Sequence, residues 1–563
     1  MALDLTAEQK KLGQANFQQS SEDLSRRGFM KTLAAGVGVV PVAAAVYFGY
    51  ESIKGSPVKA ALIGCGDEGG VLLGEHNPDY IQFVAACDIR PSNKSRIITG
   101  DPKVPLRKGF TKIYGKDYAE DISKNHFYSD FRDMLAKEKD IEAVVIALPL
   151  HLHCDVSIAC MEAGKHVLCE KLMARNLEEC RKMIKTAEDT KRILSIGHQR
   201  HYSMLYAQAN ELLKSKVIGD VNHIRALWHR NFSWDYKPED KPLPGMEIAM
   251  DTIPPRFRDG WTQPILKVDY DELKGKLSRK KLDKQLDPTD YADIYELVRW
   301  RLYERTGGGL MAELGSHQLD ASSIFLGKVH PLAVQGVGTR SFFGPGRNER
   351  EIDDQVFVTY EFPGANHPKG PNRGSDKNDV VVVTYSSIST NGFEQYGECL
   401  MGSRGTLIVE GETSAMLFKE NEPGKKGGKP RETSASVTTV SAGAPALASG
   451  STWGGPPPAA AASATIGGGP AEAPPSRGYR EEMEDFAFCI RQWDTSTGYA
   501  HDMKDGKKIY KQRLPRCHGE IAMADAVLAL TANQAMAARE RIVFNDDHFN
   551  PKSTEVPGVT RKG

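Results

Sequence analysis

Val58-Lys59-Ala60-Ala61-Leu62-Ile63-Gly64-Cys65-Gly66-Asp67-Glu68-Gly69 is an apolar run that breaks into glycines and then enters a helix-compatible stretch. It reads as the first strand, turn and helix of a dinucleotide-binding domain. Gly64 allows the tight bend, Gly66 lets a pyrophosphate approach the backbone, and Gly69 permits close packing of helix on strand. The phosphates would meet the helix N-terminus at Cys65, Asp67 and Glu68, where unpaired N–H groups and the helix dipole favour anions. Alone, the pattern also fits an ordinary strand-to-helix turn. A second apolar run, Ile81 to Cys87, ends in Asp88 about twenty residues beyond the glycines, where a ribose-binding carboxylate belongs. Asp88 argues for NAD by repelling a 2′-phosphate, while Arg90, just past Ile89, leaves NADP open.

The chain has 563 residues, too many for one core, and predicts two domains with tails. Its 73 acidic and 73 basic residues are interspersed, which argues against a nucleic-acid partner and favours a small molecule. Six of nine cysteines fall between Cys65 and Cys180, mostly in apolar surroundings, and read as buried small hydrophobes. No CxxC spacing or finger-like histidine accompanies them, so neither a metal site nor a disulfide framework is expected.

Residues 1–24 are polar and carry no sustained apolar face. Ser25-Arg26-Arg27-Gly28-Phe29-Met30-Lys31 then runs into the uncharged stretch Thr32 to Tyr50, which resembles a twin-arginine export signal. A basic turn before a buried helix is the alternative. Cleavage could follow Ala43-Ala44-Ala45. The apolar run is about nineteen residues, near bilayer thickness, so an N-terminal membrane anchor is the other outcome. The expected location is periplasmic, free or anchored.

From residue 57 to about 198, strands and helices alternate, which predicts a parallel sheet covered on both faces. A Lys-rich excursion, Pro91 to Asn125, reads as a surface insertion with short helices. Asp130 to Leu135 reads as a helix, Ala143 to Leu148 as a strand stopped by Pro149, Cys154 to Ala163 as a helix, and His166 to Cys169 as a strand closing in Glu170-Lys171. Ligands of such sheets gather at the strand carboxyl ends, beside Pro149, His151, His153, Glu170 and Lys171. The two histidines read equally well as loop or cap residues. Lys171, facing a nicotinamide, can donate a proton or hydrogen bond to a reacting hydroxyl.

Farther on, Val221 to Trp228 alternates as a strand, a polar insertion runs over 232–297, and Trp300-Arg301 precedes Gly307-Gly308-Gly309. Trp300 and Arg301 could line a sugar pocket or end a packed helix. Glu313 and His317 lie four apart, on one face of a helix, where a carboxylate can hold an imidazole that accepts a hydroxyl proton. A surface ion pair is the alternative. Strands are expected at Val356–Phe362, Val380–Ser387 and Gly402–Val409. Residues 421–477, rich in Pro, Gly, Ala and Ser, read as a disordered linker, residues 478–545 as helices completing the fold, and 546–563 as a tail.

Gly64-x-Gly66-x-x-Gly69, Asp88, Pro149-x-x-x-His153, Ala163-Gly164-Lys165-His166-Val167 and Glu170-Lys171 resemble the Gfo/Idh/MocA family of glucose–fructose oxidoreductase and inositol dehydrogenase. The resemblance runs from about residue 57 to 545. It implies an α/β Rossmann domain over 57–198 and, over 199–420, an α+β domain with an open, mostly antiparallel sheet. It further implies His317 as general base, Lys171 as its electrostatic partner and Glu313 orienting substrate or imidazole. Gln199, Arg200, Trp300 and His317 would face the substrate. Two departures stand out. Leu172 follows Glu170-Lys171 where the family usually has proline, and a cis bond is far costlier before leucine. Glu313 replaces the family's aspartate.

The implied activity is an exported oxidoreductase acting on a sugar, cyclitol or glycoside hydroxyl, with tightly bound NAD, as a homo-oligomer. A glycoside-cleaving lyase or hydrolase working through transient oxidation is the second reading, and a non-catalytic binding protein on the same fold is the third.

Overall fold

β1 (Val58–Ile63) is buried along nearly its whole length, as a central strand of a parallel sheet covered on both faces must be. The computed structural model describes residues 5–24, 44, 45, 47–230, 247–250, 260–277, 291–344, 346–348, 350–420, 477–504 and 507–558. The arginine pair Arg26-Arg27 and residues 421–476 lie outside the described residues, as does most of the insertion over 232–297.

β2 (Ile81–Cys87), β3 (Phe127–Tyr128), β4 (Ala143–Ile146), β5 (His166–Glu170) and β6 (Leu194–Gly197) join β1 in a parallel sheet of order β3-β2-β1-β4-β5-β6. Strand order reverses between β1 and β4, which opens a crevice at their carboxyl ends. The excursion after β2 forms three short helices, Pro91–Thr99, Gly109–Tyr114 and Lys116–Asn125.

The second sheet is built from β7 (Val221–His229), β10 (Ala333–Thr339), β11 (Gln355–Pro363), β12 (Val380–Ile388), β13 (Tyr396–Gly402), β14 (Gly405–Glu410), β15 (Ser414–Lys419) and β18 (Ile542–Val543). Its order is β15-β14-β13-β7-β12-β11-β10-β18, antiparallel except for the pair β7–β12. The strand expected over Gly402–Val409 divides at a turn: Gly402 ends β13 and pairs with Gly405, which begins β14. Two small ribbons, β8 (Ile248–Met250) with β9 (Ile265–Leu266) and β16 (His501–Lys504) with β17 (Lys507–Tyr510), lie outside both sheets.

The insertion is less peripheral than its polarity suggests. Trp261, Ile265, Leu273, Tyr291 and Ile294 are all buried. The polar N-terminus is also tied down, for the helix Ala7–Leu24 lies along β15. There Lys10 pairs with Glu410 at 3.1 Å, and Asn16 donates to the Leu417 carbonyl at 3.1 Å. Phe17 reaches the core, so a helix without a long apolar stripe still docks through a few contacts.

The helix Tyr479–Gln492 returns to the first sheet, where Glu484 accepts from Tyr50 at 2.8 Å and Arg491 donates to Glu142 at 2.6 Å. The helix Gly519–Ala538 is long and apolar enough to cross a membrane by length and composition, but most of it is buried in the core. All nine cysteines are buried and unbridged.

Candidate active site

The crevice at the carboxyl ends of β1, β2, β4 and β5 opens into a cleft of about 1580 Å³, counting its mouth. Its lining runs from the glycine turn past Asp88 to Lys171, Trp300 and Glu313. Gly64, with φ of +92°, makes the bend, and a Cβ there would lie 2.2 Å from the Ala147 carbonyl oxygen. A Cβ on Gly69 would lie 2.0 Å from the Gly64 oxygen. At Gly66 the nearest atom to such a Cβ is Asn93 Nδ2, 3.9 Å away, so the space kept clear there belongs to the cleft.

Two carboxylates at a phosphate-binding helix N-terminus would repel a diphosphate unless neutralised. Asp67 is: Arg96 and Arg107 reach it at 2.8 and 3.1 Å. Burial would raise the Asp67 carboxyl, but the two guanidinium groups outweigh it and hold it below its ordinary value. Glu68 goes the other way, raised by burial against the pull of Arg477 and Lys171. Glu170 rises well above the usual carboxyl range because it is buried beside Glu68, which favours its neutral acid form. The residues present fit a dinucleotide.

Asp88 accepts from the backbone N–H groups of Cys65 at 2.7 Å and Arg90 at 2.8 Å, and from Asn93 Nδ2 at 3.0 Å. These bonds fix the carboxylate at the cleft wall with Ile89 and Arg90. Cys65 and Gly69 do not line the cleft. The Cys65 thiol points into the core toward the Cys87 carbonyl, and Gly69 packs on the turn, so both shape the site from behind.

At the other end Lys171 is buried, and its Nζ donates to the Glu313 carbonyl oxygen at 2.7 Å. Burial lowers the ammonium pKa while the Glu313, Glu170 and Glu68 carboxyls oppose the fall. The Lys171–Leu172 bond is cis. Pro149 lines the cleft with His153, whose two ring nitrogens face the backbone oxygens of Leu172 and Leu148 at 2.8 and 2.9 Å. His153 thereby joins the two strand-end loops. His151 is buried edge-on against Tyr291, with its pKa pushed down to about 3 by burial.

The expected Glu313–His317 pairing is absent. Met311–Gly315 forms a π-helical turn, wider than an α turn, before the α-helix Ser316–Phe325, so these side chains lose the i,i+4 stacking. Glu313 instead accepts from Arg301 Nε at 2.8 Å, and that guanidinium lies 4.2 Å over the Trp300 ring. Burial would raise the Glu313 carboxyl, but Arg301 and Lys171 prevail and keep it ionised. Trp300, Arg301 and Glu313 line the cleft; His317 does not. Its ring packs against Trp228 at 5.3 Å between centroids, and its Nδ1 has no hydrogen-bond partner among the described residues. Burial, then Lys171 and Arg200, drive the His317 pKa well below its ordinary value, so the imidazole is neutral.

Gln199 and Arg200, expected to face the substrate, lie elsewhere. The turn Gln199–Tyr202 is buried between the sheets. Arg200 is held by Glu412 at 2.7 Å and Glu398 at 3.2 Å, and Gln199 Nε2 donates to the Tyr479 hydroxyl. A guanidinium so engaged is a structural ion cluster, costly to break. Conversely, Gln263, Pro264, Leu266 and Tyr291 from the insertion complete the cleft wall. Nothing in their polar, irregular surroundings marks them in the sequence. Arg301 carried a signal, its place beside Trp300, but no indication of its partner.

Residues 58–198 match the family described as "Oxidoreductase family, NAD-binding Rossmann fold", and residues 288–408 match "GFO/IDH/MocA C-terminal domain". The chain is 30% identical over 165 residues to an inositol 2-dehydrogenase of Salmonella typhimurium, covering 29% of this chain and 43% of that one. It is 27% identical over 234 residues to a glycosyl hydrolase family 109 protein of Shewanella amazonensis, covering 39% of this chain and 49% of that one. The chain thus spans under half the length of these curated relatives. The fold is shared with an inositol dehydrogenase homolog from Azotobacter vinelandii solved with NAD+, at TM-score 0.53 and 16% identity, covering 88% of this chain and 99% of that one. Two separate stretches of the chain, residues 58–198 and 288–408, are thus each similar to a domain of the Gfo/Idh/MocA oxidoreductases.

Proposed function

We propose that the protein is an NAD-dependent oxidoreductase acting on a secondary hydroxyl of a sugar, cyclitol or glycoside. The observation that carries this reading is Lys171, a buried ammonium at the end of β5, held between the glycine turn and the Glu313–Arg301 pair in one cleft. When bound there, NAD supplies the hydride acceptor. Lys171 donates a hydrogen bond to the substrate oxygen and stabilises the negative charge that develops on it. The neutral His317 imidazole, set back from the cleft lining, receives the hydroxyl proton by way of a water, and Glu313, fixed by Arg301, orients neighbouring hydroxyls. A panel of cyclitols and sugars, each assayed for substrate-dependent formation of NADH absorbance, tests the reading; no reduction with any of them, by protein loaded with NAD, refutes it.

The arginine pair supports export to the periplasm, with the apolar stretch either removed or kept as an anchor. Outside the cytoplasm no nicotinamide pool exchanges with the enzyme, so the cofactor is held tightly and restored within each cycle. Near-equimolar nucleotide released on denaturing the exported protein is the expected result. Cell fractionation tests the location, and light scattering tests the homo-oligomeric assembly. Redox-neutral glycoside cleavage satisfies the same cycle, and the likeness to a glycosyl hydrolase family 109 protein favours it as the second reading. Release of an aryl aglycone without added acceptor separates the two.

A further inference from the structure

Arg90 is the side chain next to Asp88 that a 2′-phosphate would seek, since an arginine at this place accommodates the phosphate of NADP. In this protein it is already taken. Asp269, from the insertion and fully buried, accepts from Arg90 Nε at 3.0 Å and Nη2 at 2.9 Å through Oδ2. The same oxygen accepts from Ser92 Oγ at 2.7 Å, and Oδ1 accepts from the Ser92 backbone N–H at 2.9 Å.

The second of these contacts closes another route for a phosphate. The helix Pro91–Thr99 has no side-chain cap of its own at Arg90, and Pro91 has no N–H. Ser92 N–H is therefore the first donor at that helix end, and Asn93 N–H is spent on the Arg90 carbonyl. A carboxylate arriving 177 residues later in the chain caps the helix and neutralises the arginine together. A 2′-phosphate entering beside Asp88 would find its guanidinium occupied, its helix end filled and two fixed carboxylates nearby.

The geometry points to Asp269 as a specificity-determining residue that closes the adenosine end of the cleft to NADP by acting through Arg90. The inference rests on the NAD reading above and extends it to a residue outside the dinucleotide domain.

The test is partition. The full chain is incubated to equilibrium with equal NAD and NADP, freed of unbound nucleotide, denatured, and its retained nucleotides quantified. Wild type is expected to prefer NAD by about a hundredfold or more, since the fixed carboxylates repel a 2′-phosphate. Asp269→Asn is expected to cut that preference about tenfold, a change worth 1.4 kcal/mol. Adding Arg90→Ala to Asp269→Asn should restore the preference, because the released guanidinium is the proposed phosphate ligand. Arg90→Ala alone should not raise the retained NADP, because the Asp269 carboxylate stays in place, which keeps the proposal testable even where Asp269→Asn does not fold.

Three results overturn it: a wild-type ratio near one, an unchanged ratio in folded Asp269→Asn, or a gain of NADP on Arg90→Ala alone. Retention of neither nucleotide by wild type is a different failure. It removes the NAD reading itself, and this inference with it.

Discussion

The glycine turn Gly64–Gly69 and the π-helical turn Met311–Gly315 meet at one cleft and are built on opposite principles. The first keeps side chains out: only an absent Cβ lets helix, strand and ligand approach so closely. The second crowds charge in, bringing Lys171, Glu313 and Arg301 together under burial that would be costly for any of them alone. Shape at the glycine turn can be tested by adding a methyl group. Charge at the other turn can be tested by removing an ion at nearly constant volume.

The largest effect is expected at Lys171. Lys171→Met should reduce turnover by about 10²–10⁴-fold, the range for a lost proton-transfer or oxyanion-stabilising group, with nucleotide retention unchanged. Loss of nucleotide together with turnover would show that Lys171 serves the cofactor rather than the reacting oxygen, and would undo the division between the two turns.

Next come the glycines, where two equal substitutions should differ in kind. Gly69→Ala puts a methyl group 2.0 Å from a backbone oxygen and should destabilise the fold by about 1–3 kcal/mol, seen as a lower Tm. Gly66→Ala meets nothing closer than 3.9 Å, so its Tm should match wild type while nucleotide affinity falls about tenfold or more. If Gly66→Ala retains nucleotide normally, the cleared space at the turn is not the ligand's.

How far each turn is legible in the sequence follows from the same difference. The glycine turn, Asp88, the alternation of strands and helices and the Glu170-Lys171 strand end all depend on neighbours close in sequence, and spacing suffices to place them. Glu313 and His317 are also close in sequence, yet the α-helical spacing misplaces them. What decides their geometry is the π turn and Arg301, and neither is a matter of residue period. Gln199 and Arg200 fail for a related reason: Glu398 and Glu412 arrive from a remote hairpin and draw the guanidinium inward. Tyr291 and Asp269 belong to a polar insertion whose burial only tertiary contacts reveal. The N-terminal helix, docked by Lys10, Asn16 and Phe17, has the same cause.

A smaller effect distinguishes His317 as a base from His317 as a packed side chain. Its pKa lies well below the ordinary imidazole value, so it stays neutral as pH falls through 6.5. If it accepts the hydroxyl proton, kcat/KM should remain flat from pH 8 to about 6, with an acid limb only below that. His317→Asn should abolish that limb. A limb centred at 6.5 or above that disappears in His317→Asn would mean the imidazole is solvated and not held as the structure holds it.

The smallest expected effect is a shift along the pH axis at the other end of the profile. Glu313 is ionised beside Lys171, and its charge raises the lysine pKa against the lowering by burial. Lys171 must carry its proton to serve the substrate oxygen, so activity is lost as pH rises through its pKa. Glu313→Gln keeps the carbonyl oxygen that Lys171 Nζ binds but removes the negative charge, so burial then acts with less opposition and the lysine pKa falls. The alkaline limb should therefore move to lower pH, by about one unit for each 1.36 kcal/mol of lost attraction. Arg301→Gln removes a cation instead and should move the same limb upward. Opposite shifts from the two changes of charge would identify the lysine as the titrating group. Shifts of the same sign would mean that both variants act by loosening the turn, and that charge is not what the π-helical segment contributes.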